Sequence, residues 1–218
     1  MPESAVELTQ ELVQIESTSE NEQEVLEYAE TFFDEVPVET DLYSFTRSPN
    51  GPTLYNFEVG DIERANLLIA AHLDTVEFEA DDWTYEPLGG TIEDGRLYGR
   101  GAADTKSNAA AAMVALKRAY EEFENPNVAL VLESDEELKF RGAKEFLDKY
   151  EDRDMDTEFT VMCEPEDLDI IHAHKGLYHS ETVIDRTIDE THASKAQKVE
   201  NGQVIQLTDT PSRMVSLS

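Results

Sequence analysis

Three apolar runs, far apart along the chain, each end on residues that bind metal ions. Residues 66–71 (NLLIAA) run into His72-Leu73-Asp74, residues 127–132 (NVALVL) into Glu133-Ser134-Asp135-Glu136-Glu137, and residues 159–163 (FTVMC) into Glu164. A short continuous apolar run predicts a strand buried on both faces. Open α/β sheets gather ligands outside the carboxyl ends of their strands, where the loops diverge into a crevice. Three strands that deliver imidazole and carboxylate to one sheet edge therefore constrain fold and chemistry together. A fourth acid, Asp104, follows Gly99-Arg100-Gly101-Ala102-Ala103 and precedes a long helical stretch. Glycine lets the backbone there turn sharply enough to bring Asp104 to the same edge.

Each piece has a plainer explanation when taken alone. His-x-Asp after a strand is commonly a surface turn, a Ser-Asp-Glu-Glu run in an acidic chain a solvated face, and Glu-Pro a turn. Asp104 stands where it would cap the following helix. Their joint order, each at the end of a predicted strand or the start of a helix, favours the functional reading.

Around these runs the pattern alternates. Val6, Leu8, Leu12, Val13 and Ile15 form an apolar stripe, and a second helix is expected from Ser19, with Glu22 completing a capping box, to about Phe33. Residues 36–44 and 53–59 read as strands, 91–98 as a hairpin turning at Glu93-Asp94-Gly95-Arg96, 106–123 as a long helix and 141–150 as a short one. Residues 169–173 and 177–184 read as further strands. Strands alternating with helices predict an α/β fold, a mixed, largely parallel sheet with helices on both faces. After Ile184 the residues are polar without a clear period, so a boundary is expected there, dividing 1–184 from 185–218.

Composition narrows the partners. The chain of 218 residues carries 49 Asp and Glu against 17 Lys and Arg, a formal net charge of -32. That field repels nucleic acid and anionic membrane surfaces, so neither is an expected partner. The acids are spread through ordinary helix and strand patterns, which excludes an acidic tail and predicts an acid-coated surface suited to a halophilic, salt-rich cytoplasm. The single cysteine, Cys163, excludes an internal disulfide and fits a reducing compartment. The first residues lack the basic and apolar regions of a signal peptide, and no apolar run reaches the roughly 20 residues of a membrane span. A soluble, cytoplasmic protein is expected.

The stretches HLDTV, Trp83 to Pro87, GRLYGRGAADTK, ESDEE and CEPE resemble the co-catalytic zinc amidohydrolases that include acetylornithine deacetylase, succinyl-diaminopimelate desuccinylase, aminoacylase and glutamate carboxypeptidase. The resemblance runs from near the start to about His192. It implies an aminopeptidase-like mixed sheet flanked by helices, with residues 185–218 as the start of an inserted lid and dimerisation domain. It implies hydrolysis of amide bonds in N-acyl amino acids or small peptides, and a homodimer. Two zinc ions are implied, with cobalt as the alternative metal: His72 and Glu164 on the first, Asp104 bridging, and Glu137 on the second. Glu136 is the implied general base acting on water that zinc activates, and Asp74 the residue that orients His72. Thr191-His192-Ala193-Ser194-Lys195 resembles the lid segment whose histidine steadies a developing oxyanion in a partner subunit; a surface histidine in a polar loop is the other reading.

The chain departs from the family pattern at Thr105 and Ser107, where the family usually has Met and Gly. It also lacks a counterpart of the family's C-terminal histidine ligand to the second zinc. About one tightly bound zinc per chain and little turnover by the chain alone are therefore expected. The alternatives are an inactive or cryptic zinc-binding remnant, or one half of a split enzyme needing a separate C-terminal chain.

The chemistry of the side chains agrees. Zinc accepts imidazole and carboxylate, and a bridging carboxylate can hold two ions close together. Asp74 is spaced to hydrogen-bond the second ring N–H of His72 and fix its tautomer. Adjacent glutamates divide into ligand and base only where the loop is not regular helix. His172 and His174 share a strand face and, with His179, are expected as ordinary strand histidines. Cys163 and Trp83 are expected to pack.

Overall fold

The computed structural model describes residues 2–166, 169, 171, 197–200 and 203–206. It divides into a unit of Met1–Asp169 and a second of Ile170–Ser218. The expected strand at 177–184, the one at 169–173 apart from residues 169 and 171, the boundary at 184, and His172, His174, His179 and His192 fall outside the described residues.

In the first unit, helix α1 spans Ala5–Gln14 and α2 spans Gln23–Phe32. Strands β1 (Thr40–Phe45), β2 (Leu54–Val59) and β3 (Leu67–His72) follow, then the hairpin β4 (Thr91–Glu93) and β5 (Arg96–Tyr98). Helix α3 covers Ser107–Glu122, β6 Val128–Glu133, α4 Arg141–Tyr150 and β7 Phe159–Met162. In the second unit β8 (Gln197–Glu200) and β9 (Gln203–Gln206) pair antiparallel.

The main sheet has the order β1-β2-β6-β3-β7. β6, β3 and β7 run parallel, while β2 is antiparallel to both β1 and β6. From β3 the chain crosses to β6 on one side through α3, then returns past β3 to β7 through α4. Crossovers of one hand that move in opposite directions put their helices on opposite faces. The buried side chains agree. Leu130 and Leu132 of β6 join α1, α2 and α3 in one cluster around Phe33, Phe57 and Met113. Ala129 and Val131, the alternate residues, join Leu68, Ala70 and Phe146 of α4 in the other. The continuous apolar runs in β3 and β6 thus reflect two covered faces.

Four expectations change. Val6 belonged to the predicted apolar stripe but is 58% exposed, the core side of α1 being Leu8, Thr9, Leu12 and Val13. The capping box is at Ser4–Glu7 of α1, not at Ser19–Glu22: α2 begins at Gln23 with no side-chain cap. The first strand begins at Thr40, four residues later than its predicted start. Among the described residues the apolar run in β7 borders the sheet, with Phe159 69% exposed; apolar periodicity reports strand character but not the position of a strand in its sheet.

Candidate metal centre

The parallel strands deliver the predicted ligands to one end of the sheet. His72 closes β3 and sits in register with Glu133, the last residue of β6. β7 ends at Met162, and the Cys163 N–H donates to the Ala70 carbonyl, so Glu164 leaves the sheet beside β3. Asp104 arrives from the turn before α3. Gly101 starts that turn at φ +75°, a left-handed backbone favoured by glycine, and a Cβ there would stand 2.6 Å from Thr75 Cγ2. The chain then kinks within Ala102–Lys106, where Asp104 (φ -111°, ψ 98°) and Thr105 leave helical geometry, and the Asp104–Thr105 peptide is cis. The Thr105 hydroxyl donates to the Cys163 carbonyl, joining this turn to the strand end that carries Glu164.

His72, Asp104 and Glu164 offer ligand atoms that all lie within 4.8 Å of one another. His72 Nε2 is 3.2 Å from Asp104 Oδ1 and 3.7 Å from Glu136 Oε2. The ring is buried, and its Nδ1 donates to the Asp74 main-chain carbonyl at 3.0 Å, with the Asp74 carboxylate 3.4 Å away. The tautomer is therefore fixed by Asp74, mainly through its backbone, and Nε2 faces the acids. Burial disfavours a charged ring, but the Asp74 carboxylate, with Glu136 and Glu164, outweighs it and raises the His72 pKa to about 9. An imidazole ligates a metal only when neutral, so loading this site with a cation releases that proton.

Glu136 and Glu137 lie in a turn, not a helix. Burial pushes the Glu136 carboxyl up to about 7 against the pull of His72, with Glu164 adding to the rise. Burial and the Asp104 carboxylate also raise Glu137, which stands outside the three atoms that converge. Burial likewise raises Glu164, opposed by His72.

Four consecutive N–H groups of this turn donate to side chains. Ser134 N–H reaches Asn56 Oδ1 at 3.2 Å, Asp135 N–H reaches Glu22 Oε1 at 3.0 Å, and those of Glu136 and Glu137 reach the two oxygens of Asp74 at 3.1 and 3.2 Å. Ser19 Oγ donates to Asp74 at 2.7 Å. Ser19 and Glu22, read from sequence as a helix cap, thus serve the site. Lys106 is also buried: its Nζ donates to the carbonyls of Leu12 and Ile15 at the end of α1, and burial lowers its pKa to about 7. Trp83 packs on Phe78, with Arg100 over its ring. Asn56, Lys106 and Arg141 carried no sequence signal for the site beyond polarity inside or beside apolar runs.

The donor set, an imidazole and a carboxylate at strand ends with a second carboxylate from the turn before α3, suits a divalent cation. Ligands at about 2 Å from a shared zinc stand no more than about 4 Å apart, which the 3.2 Å between His72 and Asp104 already satisfies.

The chain is similar to known proteins in sequence and in fold. The chain is 32% identical over 164 residues to a succinyl-diaminopimelate desuccinylase of Wolbachia pipientis, covering 73% of this chain and 40% of that protein. It is 33% identical over 132 residues to an acetylornithine deacetylase of Proteus mirabilis, covering 61% of this chain and 33% of that protein. The chain thus spans about two fifths of the first relative's length. Among solved structures, human carnosine dipeptidase 1 matches with a TM-score of 0.59 at 23% identity, over 72% of this chain and 37% of that one. An M20 family metallo-carboxypeptidase from Sulfolobus solfataricus matches with a TM-score of 0.58 at 24% identity, over 74% of this chain and 37% of that one. Both share the fold, a mixed sheet flanked by helices. The model of peptidase family M20/M25/M40 matches residues 68–210, about two thirds of the sequence, and the chain belongs to that family of hydrolases.

Proposed function

We propose that the chain carries the zinc site of a hydrolase that cleaves amide bonds in N-acyl amino acids or small peptides. The carrying observation is the meeting of His72, Asp104 and Glu164 within 4.8 Å, with the Glu136 carboxylate 3.7 Å from His72 Nε2. His72, Asp104 and Glu164 would hold one ion; Glu137, whose carboxyl feels the Asp104 charge, would join Asp104 in holding a second, weaker one. Zinc, when bound, supplies the Lewis acidity that makes water a nucleophile near neutral pH.

The chain's own residues handle the proton. A general base works best with a pKa near the working pH, and burial brings Glu136 to about 7. Glu136 takes a proton from the attacking water and returns it to the leaving amine as the amide C–N bond breaks. Asp74 holds the backbone of Glu136 and Glu137 while fixing the His72 ring. The names of the relatives support succinyl- or acetyl-substituted diamino acids as the substrate class.

Because the chain spans 40% of the first relative, zinc binding and turnover are tested separately. Zinc content measures the site. Hydrolysis of acetylornithine or succinyl-diaminopimelate measures the activity, which is expected to fall in Glu136→Gln while zinc is retained. Hydrolysis unaffected by Glu136→Gln contradicts the base assignment.

A further inference from the structure

Arg141, at the start of α4, grips the side chain of Asp135. Its Nε donates to Asp135 Oδ2 at 2.6 Å and its Nη2 to Oδ1 at 2.7 Å, a two-pronged pair, and its own N–H reaches Oδ2 at 3.3 Å. Asp135 is fully buried, and its backbone is left-handed at φ +63°. That conformation is uncommon for a residue with a side chain and persists when the surroundings over-determine it. Asp135 directly precedes Glu136 and Glu137, so its backbone dihedrals set the direction in which both side chains leave the sheet edge. The Asp135 carbonyl also accepts the N–H groups of Lys139 and Phe140, closing the turn.

Arg141 reaches further. Nη2 pairs with Glu20, in the segment whose Ser19 hydroxyl donates to Asp74 and whose Glu22 accepts the Asp135 N–H. Glycine is required at the next position, Gly142, because a Cβ there would stand 2.4 Å from the Ser134 carbonyl oxygen. Breaking one partner of a buried ion pair leaves the other charge uncompensated; here that charge would sit one residue from the glutamates.

We propose that Arg141 is a positioning residue, which acts through Asp135 to aim Glu136 and Glu137 at the metal centre. It touches none of His72, Asp104 or Glu164 through the contacts above. The inference rests on the zinc-site reading but concerns a residue outside it.

Calorimetric titration of zinc into the full chain tests it, with cobalt absorption as a check on each step. Wild type should show a tight step at His72, Asp104 and Glu164, and a weak one involving Glu137. In Arg141→Met the tight step should stay within about twofold and the weak step should fall by about tenfold or more, the scale on which residues behind a ligand act. Arg141→Lys, which keeps the charge but not the fork, should fall between and stands in should Arg141→Met not fold. Arg47→Met, which removes a more exposed two-acid bridge to Glu145 and Asp148 further along α4, should leave both steps unchanged. A weak step unaltered in the Arg141 variants, or both steps lost in equal proportion, overturns the proposal. A wild-type chain with no tight step overturns the zinc reading itself, and the proposal with it.

Discussion

The Asp74 carboxylate accepts the backbone N–H of Glu136 at 3.1 Å with Oδ1, while its other oxygen takes the next N–H along. One buried acid thus fixes the turn that carries Glu136 and Glu137 and, through its main chain, the His72 ring. In Asp74→Asn one acceptor becomes an NH2 group facing a donor, and an unmet buried donor costs about 1–3 kcal/mol. We predict a lower melting temperature and zinc affinity reduced by about tenfold to a hundredfold, measured by calorimetry. Wild-type affinity in Asp74→Asn would show that the clamp is dispensable.

The adjacent glutamates are predicted to separate. In an assembly that turns over substrate, Glu136→Gln keeps its zinc and loses rate by about a hundredfold or more, the contribution of a positioned base. Glu137→Gln loses bound metal as well. Zinc content and rate measured together decide it, and an interchange of the two effects contradicts the assignment.

The candidate ligands His72 and Glu164 were legible because each follows an apolar strand, and β-sheet topology turns that local pattern into proximity; Asp104 was legible from the glycine-containing turn before α3. The support was not. Ser19 and Glu22 satisfy a helix-cap spacing, but the segment around Thr18 pairs beside Thr75, which brings Ser19 to Asp74 and leaves Glu22 to Asp135. Local spacing cannot report a partner more than fifty residues away. Arg141 reads as a surface helix charge for the same reason, and its role depends on a left-handed Asp135 that no periodicity encodes. β7 reads as interior, and among the described residues it borders the sheet, because apolar content does not specify the position of a strand in its sheet.

Glu22 gives a pH prediction. Burial raises its carboxyl from the ordinary 4.5 to about 7. The folded chain therefore holds a proton that the unfolded chain releases between those values. Stability from this group is present below the unfolded pKa and declines as pH rises toward 7. Glu22→Gln keeps an acceptor for Asp135 N–H without the charge. Its melting temperature should exceed that of wild type above about pH 7 and converge with it toward about pH 4. A difference that grows on acidification contradicts the assignment.

The net charge of -32 predicts that salt stabilises. Screening relieves repulsion between exposed carboxylates, and each kcal/mol regained raises the melting temperature by about 2–4 °C at this length. Thermal melts from low to molar potassium chloride should climb. A flat profile contradicts an acid surface adapted to salt.

Zinc held by His72, Asp104 and Glu164 is tested most directly by metal analysis of the purified chain beside the double variant His72→Ala, Glu164→Ala. Removing the imidazole and one carboxylate leaves Asp104 with only Glu137 beside it, too few donors to hold tightly a zinc ion that normally takes about four ligands. The predicted result is about one tightly bound zinc per wild-type chain and almost none in the double variant, with its circular dichroism unchanged. Equal zinc in both proteins contradicts the site.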